Sequence, residues 1–262
     1  MQALLKDYNS RISVRGPGPA VVLVPGMDGT GDLFYRQVPL LEKSYSVATY
    51  ALRDDATSMK VLADDLRSVI EQAAPVEKRA IVMGESFGGT VALSTALQHP
   101  KHVSGLVVLN SFPYFGPQFR LRLAIAGVSL MPWGAMTLVR YATSFFMHSR
   151  HTHRDEVKKF LELTARTTRT GYRNRLRILE TYDVRERLSE IQCPTLFLAS
   201  ERDHLVPSVV QARLMAERIS SASVHVLSGH GHICLIAPDF DISSILKKWQ
   251  SNSSGVANVA KS

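Results

Sequence analysis

Four nearly unbroken apolar runs constrain this chain more than any other feature. They are Ala20-Val21-Val22-Leu23-Val24, Arg79-Ala80-Ile81-Val82-Met83, Gly105-Leu106-Val107-Val108-Leu109 and Thr195-Leu196-Phe197-Leu198-Ala199. A strand wetted on one face alternates apolar and polar side chains. A continuous run belongs to a strand covered on both faces, as in a parallel sheet. Tyr45–Tyr50 and Ser223–Leu227 read as two further strands. Helical patterns lie between the strands: Leu33 to Lys43, Thr90 to Gln98, Ser208 to Ile219 and Asp239 to Gln250. Leu62, Leu66, Val69 and Ile70 add another, behind the N-cap candidates Thr57 and Ser58. Such alternation builds βαβ units with right-handed crossovers.

The alternation stops at Phe112-Pro113. From 113 to 190 the pattern is helical with no strand signal, and it then resumes. A stretch of roughly 75 residues exceeds an ordinary connection and is structured in its own right. The 262 residues therefore read as one α/β core, 1–112 and 191–250, interrupted by a helical unit over 113–190. Residues 251–262, mostly Ser, Asn, Gly, Ala and Val, read as a flexible tail. A chain that is 45% hydrophobic and 21% charged is neither disordered nor a coiled coil. Its two cysteines, Cys193 and Cys234, exclude a disulfide scaffold and point to a reducing, cytoplasmic setting. Lys6 and Asp7 precede any apolar region of signal-peptide length, so no secretory signal is expected. The longest uncharged run, Leu123 to Val139, is 17 residues and is interrupted by Gly127, Ser129, Pro132 and Gly134. It falls just short of the roughly 18 that suggest a spanning helix and reads as a lid-like helical pair.

Gly84-Glu85-Ser86-Phe87-Gly88-Gly89 sits between a predicted strand and a predicted helix. A serine on such a sharp turn has a strained backbone and a hydroxyl pushed out at the sheet edge. Side chains two positions to either side would collide, so Gly84 and Gly88 relieve the crowding. The helix that follows turns the Phe87 N–H toward a developing oxyanion. A phosphate-binding turn is the competing reading, but the spacing of a Gly-x-Gly-x-x-Gly or Gly-Lys-Ser/Thr loop is missing.

With these residues the sequence resembles the α/β-hydrolase superfamily over roughly residues 10 to 250. Four places carry the resemblance: Pro25-Gly26-Met27, Gly84 to Gly89, Ser200-Glu201-Arg202-Asp203-His204-Leu205-Val206-Pro207, and Gly231-His232. It is nearest in character to small capped bacterial serine esterases and acyl hydrolases, such as pimeloyl-carrier-protein methyl esterases and meta-cleavage-product hydrolases. Gly26 to Gly31 is also similar to plant phytyl-ester synthases, which are acyltransferases. The resemblance implies a mostly parallel α/β-hydrolase sheet flanked by helices, with a helical cap inserted after the sixth strand. It also implies an oxyanion donor at the Met27 N–H, where Pro25 replaces the family's usual histidine. Asp28, next to that loop, is expected to point away from it or to cap the helix near Asp32.

A serine hydroxyl needs a histidine to take its proton and an acid to orient that histidine. The fold uses the chain order Ser, Asp, His. The resemblance puts the acid at Asp203, with Glu201 two residues away as the rival. Ser228-Gly229-His230-Gly231-His232 follows the last strand, where the family histidine belongs. The spacing to Pro238 does not separate His230 from His232. His232 has Gly229 three positions before it and the apolar run Ile233–Ile236 after it, and it is the expected base.

The formal charge of the chain is +8. Residues 113–190 hold fourteen Lys and Arg against seven Asp and Glu, so nearly all the excess sits in the cap. Arg166, Arg169, Arg173 and Arg177 recur at helical spacing and are expected on one face. A basic cap suits an acidic partner such as a carrier protein or an anionic acyl chain. Its Met and aromatic residues suit an apolar acyl pocket. The expected partner is a small-molecule or acyl ester substrate, with anionic or carrier-linked acyl groups included, and not a nucleic acid. No metal or other cofactor is expected. The clustered His148, His151 and His153 have cation-repelling Arg150 and Arg154 beside them. The expected activity is that of a serine hydrolase cleaving a carboxylic ester through an acyl-enzyme. An acyltransferase using an alcohol acceptor and a non-enzymatic ligand-binding protein are the alternatives.

Overall fold

Seven strands form one twisted sheet in the computed structural model, which describes residues 12–149 and 152–259. The strands are β1 (Ile12–Arg15), β2 (Ala20–Val24), β3 (Ser46–Tyr50), β4 (Ala80–Glu85), β5 (Val103–Leu109), β6 (Thr195–Ser200) and β7 (Ala222–Leu227). Their spatial order is β1-β3-β2-β4-β5-β6-β7, with only β1 antiparallel to its neighbour. The continuous apolar runs are explained by the two faces of this sheet. Val22, Val24, Val82, Leu106, Val108 and Phe197 point into one buried layer. Val21, Leu23, Ile81, Met83, Val107, Leu109, Leu196 and Leu198 point into the other. Each such side chain contributes roughly 1.5–3 kcal/mol by leaving water.

Helices cover both faces. They are α1 (Val38–Leu41), α2 (Met59–Ala73), α3 (Phe87–Gln98), α8 (Ser208–Ala216) and α9 (Ile242–Val259). Between β5 and β6 the chain forms the helices α4 (Gln118–Leu130), α5 (Met136–Met147), α6 (Arg154–Thr164) and α7 (Arg169–Glu180). Here α4 packs on α7 and α5 on α6. The amphipathic α2 starts at Ser58, whose Oγ accepts the Val61 N–H at 3.4 Å. It buries Leu62, Leu66, Val69 and Ile70 against the sheet.

Several expectations change in detail. The helical segment follows the fifth described strand, where the sequence reading counted six; residues 1–11 lie outside the description. The edge strand β1 carries no apolar run and was not read from the sequence. The helix expected over Leu33–Lys43 is a 3-10 turn (Asp32–Arg36) followed by α1, because Pro39 has no N–H to continue an α-helical ladder. Arg166 does not share a helical face with Arg169, Arg173 and Arg177. The helix begins only at Arg169, after Thr168 caps it by accepting the Gly171 N–H at 3.0 Å. Arg166 lies in the preceding turn and pairs with Asp32 at 2.9 Å. The last helix continues to Val259, past Ser251, where the sequence reading places a tail; residues 260–262 lie outside the description. No helix among the described residues is long and apolar enough to cross a membrane.

Candidate active site

The strand-to-helix turn between β4 and α3 holds Ser86 at φ 52° and ψ −118°. Non-glycine residues rarely adopt such a backbone, and it persists only where neighbours enforce it. Here the Ser86 N–H donates to the Leu109 carbonyl at 2.9 Å. The Ser86 carbonyl accepts from the Gly89 N–H at 2.9 Å and from the Ser111 hydroxyl at 2.7 Å. The turn is also too tight for side chains at its flanks. A Cβ on Gly84 would strike the Gly88 carbonyl, and one on Gly88 would strike the carbonyls of Val24 and Pro25.

His232, in the loop after β7, and Asp203, in the loop after β6, meet this hydroxyl from across the sheet edge. The Ser86 hydroxyl lies 2.9 Å from His232 Nε2, and His232 Nδ1 lies 2.7 Å from Asp203 Oδ2. An ionised carboxylate only accepts, so Nδ1 carries the proton and Nε2 is free to accept from the serine. Asp203 is held in turn. Its Oδ1 accepts the Leu205 and Val206 N–H groups, both at 2.9 Å, and its Oδ2 accepts from the Ser208 hydroxyl. Burial works to raise the Asp203 pKa, but the His232 and Ser208 hydrogen bonds and the His232 charge keep it below the usual carboxylate value. For His232 burial opposes the charged form. The hydrogen bond and charge of Asp203, aided by Glu85, outweigh burial and raise its pKa above that of an ordinary imidazole.

The rival residues are engaged elsewhere. Glu201 accepts the Gly229 N–H at 2.9 Å. His230 places Nδ1 2.9 Å from the Ser149 hydroxyl and Nε2 3.8 Å from Asp239. Cys234 is fully buried, and burial pushes its thiol pKa up. Of the clustered histidines, His148 packs against Phe160 with ring centroids 5.0 Å apart, His153 precedes α6, and His151 lies outside the described residues.

Asn110 was not singled out from the sequence. Its backbone is left-handed at φ 48°, a conformation Asn tolerates better than most residues. Its side-chain N–H groups reach the His232 carbonyl at 2.8 Å and the Ser200 hydroxyl at 2.9 Å, and its oxygen accepts the Ser200 N–H at 2.8 Å. One buried amide thus ties the ends of β5 and β6 to the histidine loop. A small polar residue straight after the apolar run of β5 was the available signal.

The loop after β2 brings Met27 to the same edge. Among the described residues, neither the Met27 nor the Phe87 N–H donates to another protein group. The loop is braced from two sides. The Asp28 carboxylate turns onto its own loop, accepting the Thr30 N–H at 2.9 Å and hydroxyl at 2.6 Å. From the helical segment between β5 and β6, Arg175 on α7 donates through Nε to the Met27 carbonyl and through Nη2 to the Asp28 carbonyl, each at 3.1 Å. Its Nη1 reaches Asp54 at 3.3 Å. Gly29 makes room at φ 71°, where a Cβ would strike the guanidinium.

A cavity of about 280 Å³ opens onto Ser86 between the sheet edge and helices α4 to α7. Its wall is mostly apolar, including Leu33, Phe112, Phe115, Met136, Leu176 and Leu179. Glu85 lies in this wall with its side chain 4% exposed and Oε1 3.8 Å from His232 Nε2. Burial pushes its pKa up to about 8, against the His232 charge and with help from Asp28 and Asp203. Burial therefore favours the neutral carboxyl of Glu85. A larger cavity of about 980 Å³ near Trp249 lies at the opposite edge, beside the starts of β2 and β3.

The chain matches the model of the alpha/beta hydrolase fold family over residues 19–237. It is 26% identical over 241 residues to the "Putative carbamate hydrolase RutD" of Escherichia coli O157:H7, covering 87% of this chain and 90% of that one. A hydrolase from Pseudomonas aeruginosa PA01 superposes with TM-score 0.81 at 21% identity, covering 91% and 93% of the two chains. The enol-lactonase from Burkholderia xenovorans LB400 superposes with TM-score 0.80 at 18% identity, covering 92% and 95%. The family match spans the whole sheet from β2 to β7 together with the strand-turn-helix at Ser86, and the chain belongs to the α/β-hydrolase fold family.

Proposed function

We propose that this protein is a serine hydrolase that cleaves a carboxylic ester through an acyl-enzyme. The observation that carries the reading is the hydrogen-bonded line from the Ser86 hydroxyl through His232 to buried Asp203. Ser86 Oγ attacks the ester carbonyl and passes its proton to His232 Nε2, and Asp203 stabilises the imidazolium that forms. The tetrahedral oxyanion accepts from the Met27 and Phe87 N–H groups, each worth roughly 3 kcal/mol in the transition state. Collapse breaks the C–O bond, and His232 gives its proton to the departing alkoxide. Water then attacks the acyl carbon as it gives a proton to His232; collapse breaks the bond from the acyl carbon to Ser86 Oγ, and His232 returns the proton to Ser86 as the acid leaves. Hydrolysis as the reaction class is supported by the family and by the RutD relatives.

A fluorophosphonate probe tests the reading. The expected result is stoichiometric labelling at Ser86 and loss of ester turnover in Ser86→Ala; a folded wild-type protein that resists the probe would refute it. The name of the RutD relatives favours a second substrate class, carbamates, whose carbonyl the same hydroxyl can attack. Turnover of matched ester and carbamate pairs separates the two. Product analysis with a competing alcohol separates hydrolysis from acyl transfer.

A further inference from the structure

The cavity over Ser86 contains three buried polar groups with no hydrogen-bond partner: Glu85 Oε1, Arg140 Nη2 and Thr167 Oγ1. Arg140, on α5, lines it, and its Nη2 is buried without a hydrogen-bond partner. Among the described residues Arg140 makes no ion pair. Its guanidinium lies 5.3 Å from the Trp133 ring, and Trp133 lies 6.2 Å from the Tyr172 ring, so aromatic faces orient the charge. Thr167, between α6 and α7, lines the same cavity with a buried hydroxyl that is also unpartnered. Leaving such groups unmade costs more than a made bond gains, so a cavity keeps them where a ligand supplies the acceptor.

Two carboxyl groups share the cavity wall; the Asp28 charge acts on Arg140 from a distance, but neither carboxyl hydrogen-bonds or ion-pairs with it. Asp28 spends Oδ2 on Thr30, and Glu85 sits beside His232, where burial favours its neutral form. Apart from Ser86, His232, Thr143, Thr164 and Tyr172 the remaining wall is apolar, and the cavity is small, near the low end of the roughly 300–1,000 Å³ of ligand sites. A compact apolar chain ending in an acid group fits that combination. The acyl part is the one to anchor, because it stays in the enclosed cavity through both half-reactions while the alcohol departs and water replaces it.

We propose that Arg140, with the Thr167 hydroxyl, forms a subsite for a carboxylate at the far end of the substrate's acyl group, so that the preferred substrate is a half-ester of a short dicarboxylic acid. This rests on the serine-hydrolase reading. The carboxylate accepts N–H groups from the guanidinium as a charge-assisted pair, the geometry in which arginine exceeds lysine.

Methyl hexanoate and monomethyl adipate have acyl chains of equal length and differ in the terminal carboxylate. Acid release in a pH-stat should give monomethyl adipate the higher kcat/KM by roughly 10- to 100-fold, the range of one charge-assisted hydrogen bond. Arg140→Met should bring the ratio close to one, and Arg140→Lys should keep part of it. A wild-type ratio at or below one, or an unchanged ratio in Arg140→Met, overturns the subsite. A binding measurement works without turnover. By calorimetry, monomethyl adipate should bind Ser86→Ala protein more tightly than methyl hexanoate does, and lose that advantage when Arg140→Met is added. Equal binding of the two esters overturns the subsite whether or not Ser86 is reactive. Failure of probe labelling with the adipate preference intact overturns the serine-hydrolase reading instead.

Discussion

Arg175→Met separates what the cap does for stability from what it does for chemistry. The Arg175 side chain is 2% exposed, and methionine matches the length of its stem. The substitution removes the two 3.1 Å hydrogen bonds to the Met27 and Asp28 carbonyls and the contact to Asp54. Asp54 keeps its hydrogen bond from the Thr168 hydroxyl at 2.8 Å and is a third exposed, so its own loss is small. The two carbonyls are left with no replacement donor. Leaving a buried carbonyl unsatisfied costs roughly 1–3 kcal/mol, so about 2–6 kcal/mol for the two. At roughly 2–4 °C per kcal/mol for a chain of this size, the midpoint falls by about 4–24 °C.

The second effect is on rate. Arg175 holds the carbonyl of the residue whose N–H is proposed to receive the oxyanion. A loop free to rotate about Met27 loses up to one oxyanion donor, roughly 10²-fold in kcat, while ground-state binding in the apolar cavity changes little. The assay is kcat and KM on a neutral ester at a temperature where every variant is folded. Leu62→Ala serves as control. Leu62 is fully buried on α2, remote from Ser86, and its loss costs roughly 2–5 kcal/mol through a cavity alone. The expected outcome is a similar fall in midpoint for both variants, with kcat reduced only in Arg175→Met. Equal kcat in the two would refute the coupling of cap to loop and leave Arg175 a packing residue.

Two further outcomes follow from the charges. Glu85 has its pKa raised from 4.5 to about 8, so between those values the folded state binds more protons than the unfolded chain. Its contribution to stability is full below about pH 4.5 and is lost as pH rises to about 8. His232, Asp28 and Asp203 act on it and remain in place in Glu85→Gln, so the urea midpoint of that variant should gain on wild type as pH rises from 5 to 8; parallel curves would refute a protonated Glu85. His232 must be neutral to accept the serine proton, and Asp203 raises its pKa. Wild-type kcat/KM should therefore climb with pH through a midpoint above the ordinary imidazole value of roughly 6.5. Asp203→Asn should shift that midpoint down and cut kcat by roughly 10⁴-fold, since the ring loses its tautomer and its counter-charge; an unmoved limb would count against Asp203 as the orienting acid.

Sequence separation sorts what could be read from the chain. The sheet was legible because strands buried on both faces leave continuous apolar runs, whereas β1, half-exposed and antiparallel at the edge, leaves none. The turn at Ser86 was legible because its glycines and serine act on one another within a few residues. His230 and His232 share one loop, and the ring facing Ser86 is decided by the path of that loop over Asn110, 122 residues earlier. The contacts of Arg175 span 148 and 121 residues, and in sequence it is one more arginine in a basic cap. The same distance has a consequence for how the cap is regarded. Its charge excess looked like a surface property, yet Arg175 is spent on the loop carrying Met27 and Arg140 faces the cavity. The cap is a separate segment of sequence, but its arginines complete the site that the sheet begins. Transplanting the cap of another family member onto this core should therefore cost rate as well as change substrate preference, unless the graft supplies donors to the Met27 and Asp28 carbonyls.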